Sequence, residues 1–122
     1  MQLRLRSFST REEQNIDRLL NLDTNLLYVE FGQQIGSLGP ANDITSQVKQ
    51  WIVDRREDIY QKICIEGNYC LFIKQNKNAS RIAIIIAIGD LLATVFSLIP
   101  VNTLAVLLTR EFLDDFCNCI DN

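Results

Sequence analysis

The sequence predicts an all-α protein, a single compact bundle of four to five helices around a central apolar helix at about residues 81–99. One observation is the stretch from Ile82 to Leu108, which holds one ionisable residue, Asp90, and one proline, Pro100. A second is the chain before it, where apolar residues recur at the spacing of one helix face. A third is the composition, 48% hydrophobic and 22% charged, which is ordinary for a globular domain.

The length of 122 residues corresponds to one domain, so residues 1–122 are predicted to form a single helical domain. Residues 1–8 alternate leucine with arginine, which predicts a basic N-terminal arm that either frays or docks onto a neighbour. Residues 117–122 follow the last apolar turn and are predicted to be a frayed tail.

The first helix is predicted to begin at Ser9 or Thr10, because each is followed three residues later by a glutamate that can complete a capping box. Apolar residues then recur on one face as far as Phe31. Glycines and a proline in residues 32–40 end the helix and predict a loop.

The second helix is predicted from about Ile44 to about Ile65, with Asp43 as its cap. Residues 66–68 break the pattern, and residues 69–74 are predicted to be a short helix because no strand partner is evident.

The central helix is predicted to be capped by Asn78 or Ser80 and to begin at Arg81. Its β-branched isoleucines favour a strand, but the apolar run is longer than a typical strand and contains alanines. Pro100 is predicted to start the last helix, which becomes acidic and frays near Cys117.

A membrane span at residues 82–100 is the main alternative to a buried core. The apolar side chains favour insertion by on the order of -5 kcal/mol, and Asp90 near the middle removes over half of this. The next apolar stretch, residues 101–109, is too short to return across a bilayer of about 30 Å. The core is therefore the favoured interpretation.

Asp90 is accordingly a candidate buried polar residue that needs a partner. It could cap a helix restarting after Gly89, pair with Arg81 or Arg18, or serve a function. Structural pairing is favoured, because no companion nucleophile or base is evident in the sequence.

Composition excludes several classes of function. The chain has no histidine, the usual general base near neutral pH and the commonest metal ligand. Its glycine-bearing loop lacks the lysine of a phosphate-binding loop, and its net charge of -3 does not suit a nucleic-acid binder. We therefore expect no enzyme activity, no cofactor, no metal site and no nucleic-acid partner.

By elimination, the sequence favours a non-enzymatic protein-interaction module: an adaptor, a regulatory subunit or a self-assembling scaffold that binds a protein partner or forms a homo-oligomer. The candidate interface residues are Trp51, Arg55 and Arg56, because tryptophan and arginine are enriched in interface hot spots. A solvated helix face at residues 54–58 is the more ordinary interpretation. The alternative function is a small membrane-acting protein that inserts residues 82–108.

The four cysteines, Cys64, Cys70, Cys117 and Cys119, do not form the paired CxxC motifs of a structural zinc site. Cys117 and Cys119 are interpreted as small apolar residues near a helix end. The N-terminus lacks the apolar region of a signal peptide, so the sequence predicts a cytoplasmic protein with reduced thiols.

Overall fold

The computed structural model describes residues 2–111 and 116–119, and within them it is all-helical with no strand. This part of the chain contains seven α-helices rather than four or five, and a π-helical segment follows directly on the fourth. The elements are α1 (Thr10–Leu20), α2 (Thr24–Gln34), α3 (Ala41–Asp54), α4 (Arg56–Ile59), the π-helical segment (Tyr60–Glu66), α5 (Tyr69–Gln75), α6 (Arg81–Leu92) and α7 (Val101–Glu111).

The extra helices arise because the first two predicted helices are each divided. Asp23 starts α2 within the first, since its carboxylate accepts a hydrogen bond from the backbone N–H of Leu26 at 2.9 Å. Arg110 of α7 stabilises this break by donating to the carbonyl oxygens of Leu20 and Leu22, at 2.9 and 2.7 Å. The second predicted helix is interrupted at Arg55, whose φ of -110° and ψ of 15° are not helical.

Two of the three predicted side-chain helix caps are confirmed. The backbone N–H of Glu12 donates to Ser9 Oγ at 3.1 Å, and the Glu12 carboxylate accepts from the backbone N–H of Ser9, which completes the capping box. Ser80 caps α6 by accepting from the backbone N–H of Ala83 at 3.1 Å. The prediction for Asp43 is wrong, because α3 begins after Pro40 and has no side-chain cap.

The core is built on a pair of helices, α6 and α7, which pack against each other. The predicted central helix is shorter than expected and ends at Leu92. α7 shares the central position, since it also packs against α1 and α2 and its residues 104–108 are buried. α2 and α3 form a second packed pair.

The apolar stretch from Ile82 therefore folds into two helices of 12 and 11 residues joined by a loop. Across residues 2–111 and 116–119, no helix has both the length and the apolar character that crossing a membrane requires.

The N-terminal arm is docked onto the body of its own chain and does not fray. Leu3 is only 7% exposed, and its backbone N–H donates to the carbonyl oxygen of Gly67 at 3.3 Å. A side chain at position 67 would have no room, since a Cβ there would lie 2.7 Å from Leu91 Cδ2 and 3.0 Å from Leu3 Cγ.

All four cysteines form disulfides, Cys64 with Cys117 and Cys70 with Cys119. The prediction of reduced thiols is therefore wrong, as is the interpretation of Cys117 and Cys119 as apolar filler. The predicted frayed tail is also wrong at residues 117–119, which the two bonds fix to the π-helical segment and α5. Residues 120–122 lie outside the described part of the chain.

Candidate interaction surface

Trp51, a predicted interface residue, lies half buried on α3. The edge of its ring meets the ring of Phe31, with the centroids 5.2 Å apart. On another side it meets Phe96, from the loop after α6, at 5.6 Å. These two contacts fix the tryptophan ring in place while part of it remains open to solvent.

Arg55, the second predicted residue, is stacked on the same ring. Its guanidinium carbon lies 4.1 Å from the centroid of Trp51, and Nη1 donates to the Trp51 carbonyl oxygen at 3.1 Å. Because the arginine is held at both points, Trp51 and Arg55 present one pre-organised aromatic and cationic surface.

Arg56, the third predicted residue, contacts a different ring. Its guanidinium carbon lies 5.8 Å from the centroid of Phe116, which in turn meets Tyr60 edge-on at 5.8 Å. The break in the helix at Arg55 separates the roles of the two arginines. The structure therefore places Trp51 and Arg55 together and assigns Arg56 to a neighbouring contact.

Two uncharged loops border Trp51, and sequence reasoning missed both as surface features. Residues 35–40 read IGSLGP and residues 93–100 read ATVFSLIP, so each loop ends in Ser-Leu-x-Pro directly before a helix. The leucine of each motif points into solvent: Leu38 is 83% exposed and Leu98 is fully exposed. The repeated Ser-Leu-x-Pro motif is the sequence feature that could have identified these two loops. We call Trp51, Arg55 and these two loops the Trp51 surface.

The two loops lie at the same end of the molecule. Thr103 in the first turn of α7 donates its hydroxyl to Gln34 Oε1 at the end of α2, at 3.4 Å. A hollow of about 350 Å³ lies beside Trp51. Its lining comprises Ile35, Gly36, Ser37, Gln47, Gln50, Trp51, Asp54 and Arg55.

Asp90 is not buried as predicted, because its side chain is 48% exposed. It does have a partner, but this is Arg6 of the N-terminal arm and neither Arg81 nor Arg18. Arg6 Nε donates to one carboxylate oxygen at 2.6 Å and Nη2 to the other at 3.1 Å. The alternative role for Asp90, capping a helix that restarts after Gly89, does not apply, since α6 continues through both residues.

Arg6 holds a second carboxylate as well. Nη2 lies 2.6 Å from Glu12 Oε2, so one guanidinium joins the arm, α1 and α6. Hydrogen bonding to Arg6, with help from the backbone of Ser9, lowers the pKa of Glu12 from its ordinary 4.5 to about 2. The bonds to Asp90 and Glu12 raise the pKa of Arg6.

No group of three or more histidine, cysteine, aspartate or glutamate side chains could hold a metal ion within the described residues. The sequence matches no protein-family model, and no curated protein or solved structure is significantly similar to it. The geometry of the Trp51 surface is therefore the basis of the functional argument.

Proposed function

We propose that this protein is a non-enzymatic interaction module that binds a protein partner, or a further copy of itself, through the Trp51 surface. The observation that carries the proposal is a half-buried tryptophan with an arginine stacked on it at 4.1 Å, set between two loops that expose leucines. Buried aromatic and arginine anchors dominate binding energy at protein interfaces. Clustered exposed apolar side chains are typical of interaction sites.

The proposal that the protein is not an enzyme rests on its composition. Without histidine, the chain lacks the side chain that most often transfers protons near neutral pH. The absence of a nucleic-acid partner is proposed from the net charge of -3, because nucleic-acid binders present an excess of Lys and Arg to phosphates.

Insertion of residues 82–108 into a membrane is the less favoured function. Residues 85–89 and 103–108 are buried against the rest of the protein, so inserting them would require the core to open. The cytoplasmic location stays a prediction, and the two disulfides count against it because cytosolic thiols are kept reduced.

Reversing the charge of Arg55 tests the proposed interface. Arg55→Glu removes the cation stacked on Trp51, so we expect capture of partners from the native host to fall by at least about tenfold, which corresponds to 1.4 kcal/mol. Arg56→Glu is the matched control, because it reverses a neighbouring charge whose ring contact is with Phe116.

A circular-dichroism melt of each variant establishes that it folds. If folded Arg55→Glu retains the same partners and the same mass in solution as the wild type, the Trp51 surface is not the interface.

A further inference from the structure

We infer that the partner at the Trp51 surface is a second copy of this chain, in a two-fold symmetric dimer whose subunits each place Leu98 in the hollow beside the other's Trp51. The inference rests on the proposed function and specifies the partner. Two-fold dimers use the same patch on both subunits, so a patch that carries both a protruding group and a matching hollow is suited to this symmetry.

Leu98 is the protruding group. Its side chain is fully exposed, so it packs against nothing in the described part of its own chain. Its φ of 63° lies in the left-handed region, which a leucine adopts only at a cost in conformational energy. The monomer therefore holds a strained leucine in water without any contact that offsets the strain. Burial in a second subunit would supply that contact.

The hollow beside Trp51 is the receiving site in this arrangement. It is a wide depression of about 350 Å³ that is open to solvent, in which Ile35 and the open part of the Trp51 ring form an apolar surface beside the polar side chains of Ser37, Gln47 and Gln50. Gly36 adds no side chain to its lining, which leaves room for an incoming group. Leu38, from the same loop as Ile35 and Gly36, provides a second exposed apolar contact at the edge.

The charged residues on this surface can pair with those on the same surface of a second copy. Neither loop carries a charged residue, and the two charged residues lining the hollow, Asp54 and Arg55, have opposite signs. A two-fold axis close to Trp51 brings Arg55 of one copy towards Asp54 of the other. For a chain of net charge -3, a surface whose loops are uncharged and whose Asp54 and Arg55 balance each other lets two copies meet without net repulsion.

A lipid surface is the strongest competing partner, since exposed leucines on loops can enter a headgroup layer. The charge argues against it. Membrane-binding loops are usually supported by a cluster of Lys and Arg that attracts anionic lipids, whereas these loops have none and the chain is acidic overall.

Sedimentation equilibrium across a wide concentration range tests the inference with Leu98→Asp and the control Leu26→Asp. Leu26 is also an exposed leucine, 51% accessible, but it lies near the start of α2 and therefore at the other end of that helix. We expect the wild type and Leu26→Asp to form dimers. Leu98→Asp should raise the dissociation constant by at least about a hundredfold, because it buries an unpaired carboxylate.

Leu98→Gly is a second variant that tests the inference if Leu98→Asp does not fold. Glycine adopts a positive φ without strain, so this variant should melt at a higher temperature than the wild-type monomer and still fail to dimerise. Trp51 is the only tryptophan, so its fluorescence reports directly on the site. Its emission should shift to shorter wavelength as the wild type dimerises and stay constant for Leu98→Gly.

A charge exchange tests the symmetry itself. Asp54→Arg alone should weaken the dimer by about tenfold, because each Arg55 would then face an arginine. Adding Arg55→Asp restores opposite charges across the axis and should recover only the electrostatic part of this loss, because the cation stacked on Trp51 is then missing.

Three results would overturn the inference. The wild type could be a monomer at every concentration, or a dimer that Leu98→Asp and Leu98→Gly leave intact. It could also be a monomer that binds phosphatidylcholine vesicles through Leu98, which would assign the surface to lipid. If the wild type is a monomer that captures a host protein and Arg55→Glu does not capture it, the proposed function stands with a different partner.

Discussion

Arg6 adds polar contacts to the apolar docking of the N-terminal arm through Leu3. Its guanidinium reaches Asp90 and Glu12 at 2.6 Å each, and so joins three parts of the chain. All three side chains are at least one-third exposed, so each ion pair contributes modestly to stability. Together they hold the arm beside α1 and α6.

Stability should depend on pH through Glu12. Because its pKa falls from 4.5 to about 2 on folding, the stabilisation is complete above about pH 5 and is lost as the pH falls towards 2. The difference in melting temperature between the wild type and Glu12→Gln should be largest above pH 5 and vanish near pH 2.

Glu13→Gln is the matched control, because it removes a carboxylate from the same helical turn. Melts followed by circular dichroism from pH 2 to pH 7 give both differences. A difference in melting temperature between the wild type and Glu12→Gln that is the same at pH 2 as at pH 7 would contradict the assigned role of Arg6.

At the scale of elements, the α2–α3 pair depends on a close approach at Gly32. A Cβ built at this position would lie 2.3 Å from Ile44 Cγ2 and 3.0 Å from Val48 Cγ2. Both neighbours are buried, so they have little room to move.

Gly32→Ala should therefore destabilise the protein by about 1–3 kcal/mol, as overpacking usually does. The sign of the change in unfolding free energy shows whether the added methyl group is obstructed. Without obstruction, alanine within a helix stabilises a protein by about 0.5–1 kcal/mol relative to glycine. Urea denaturation measures the change, and Gln33→Ala, exposed on the same helix, should stay within about 0.5 kcal/mol of the wild type. A stabilised Gly32→Ala would mean that α2 and α3 lie further apart.

At the scale of the whole molecule, two disulfides close long and interleaved loops. Cys64–Cys117 spans 53 residues and Cys70–Cys119 spans 49. Both attach the segment after α7 to the region around the π-helical segment, so they restrict the unfolded chain at nearly the same place.

Removing Cys64–Cys117 with a double serine substitution should lower stability by up to about 4 kcal/mol, the chain-entropy value for a loop of this length. Removing Cys70–Cys119 alone should cost a similar amount, and removing both should cost less than twice as much, because each bond already shortens the loop that the other closes. Urea denaturation measures each loss.

Thiol alkylation of the urea-unfolded wild type supplies the control, and no cysteine should react when the protein is kept oxidised. Wild-type protein from its native compartment that alkylates at all four positions would show that the bonds do not form there, and would restore the prediction of reduced thiols.

The sequence by itself determined the features that depend on neighbouring residues. The sequence predicts the start of α1 from Ser9 and Glu12, and the start of α6 from Ser80. It can do so because a capping hydrogen bond joins residues only three positions apart. The all-α class followed from apolar spacing, and the core followed from the stretch beginning at Ile82, because burial of apolar surface is the main driving force of folding. Trp51 and Arg55 were proposed as interface residues because tryptophan and arginine are enriched in interface hot spots.

Only the tertiary structure decided the features that join distant residues. Arg6 and Asp90 are 84 positions apart, and the break between α1 and α2 is stabilised by Arg110 from the far end of the chain. The disulfide partners are also remote, since no local spacing specifies which cysteines meet. In each case the interaction exists only after packing has brought the segments together, so no local pattern can encode it.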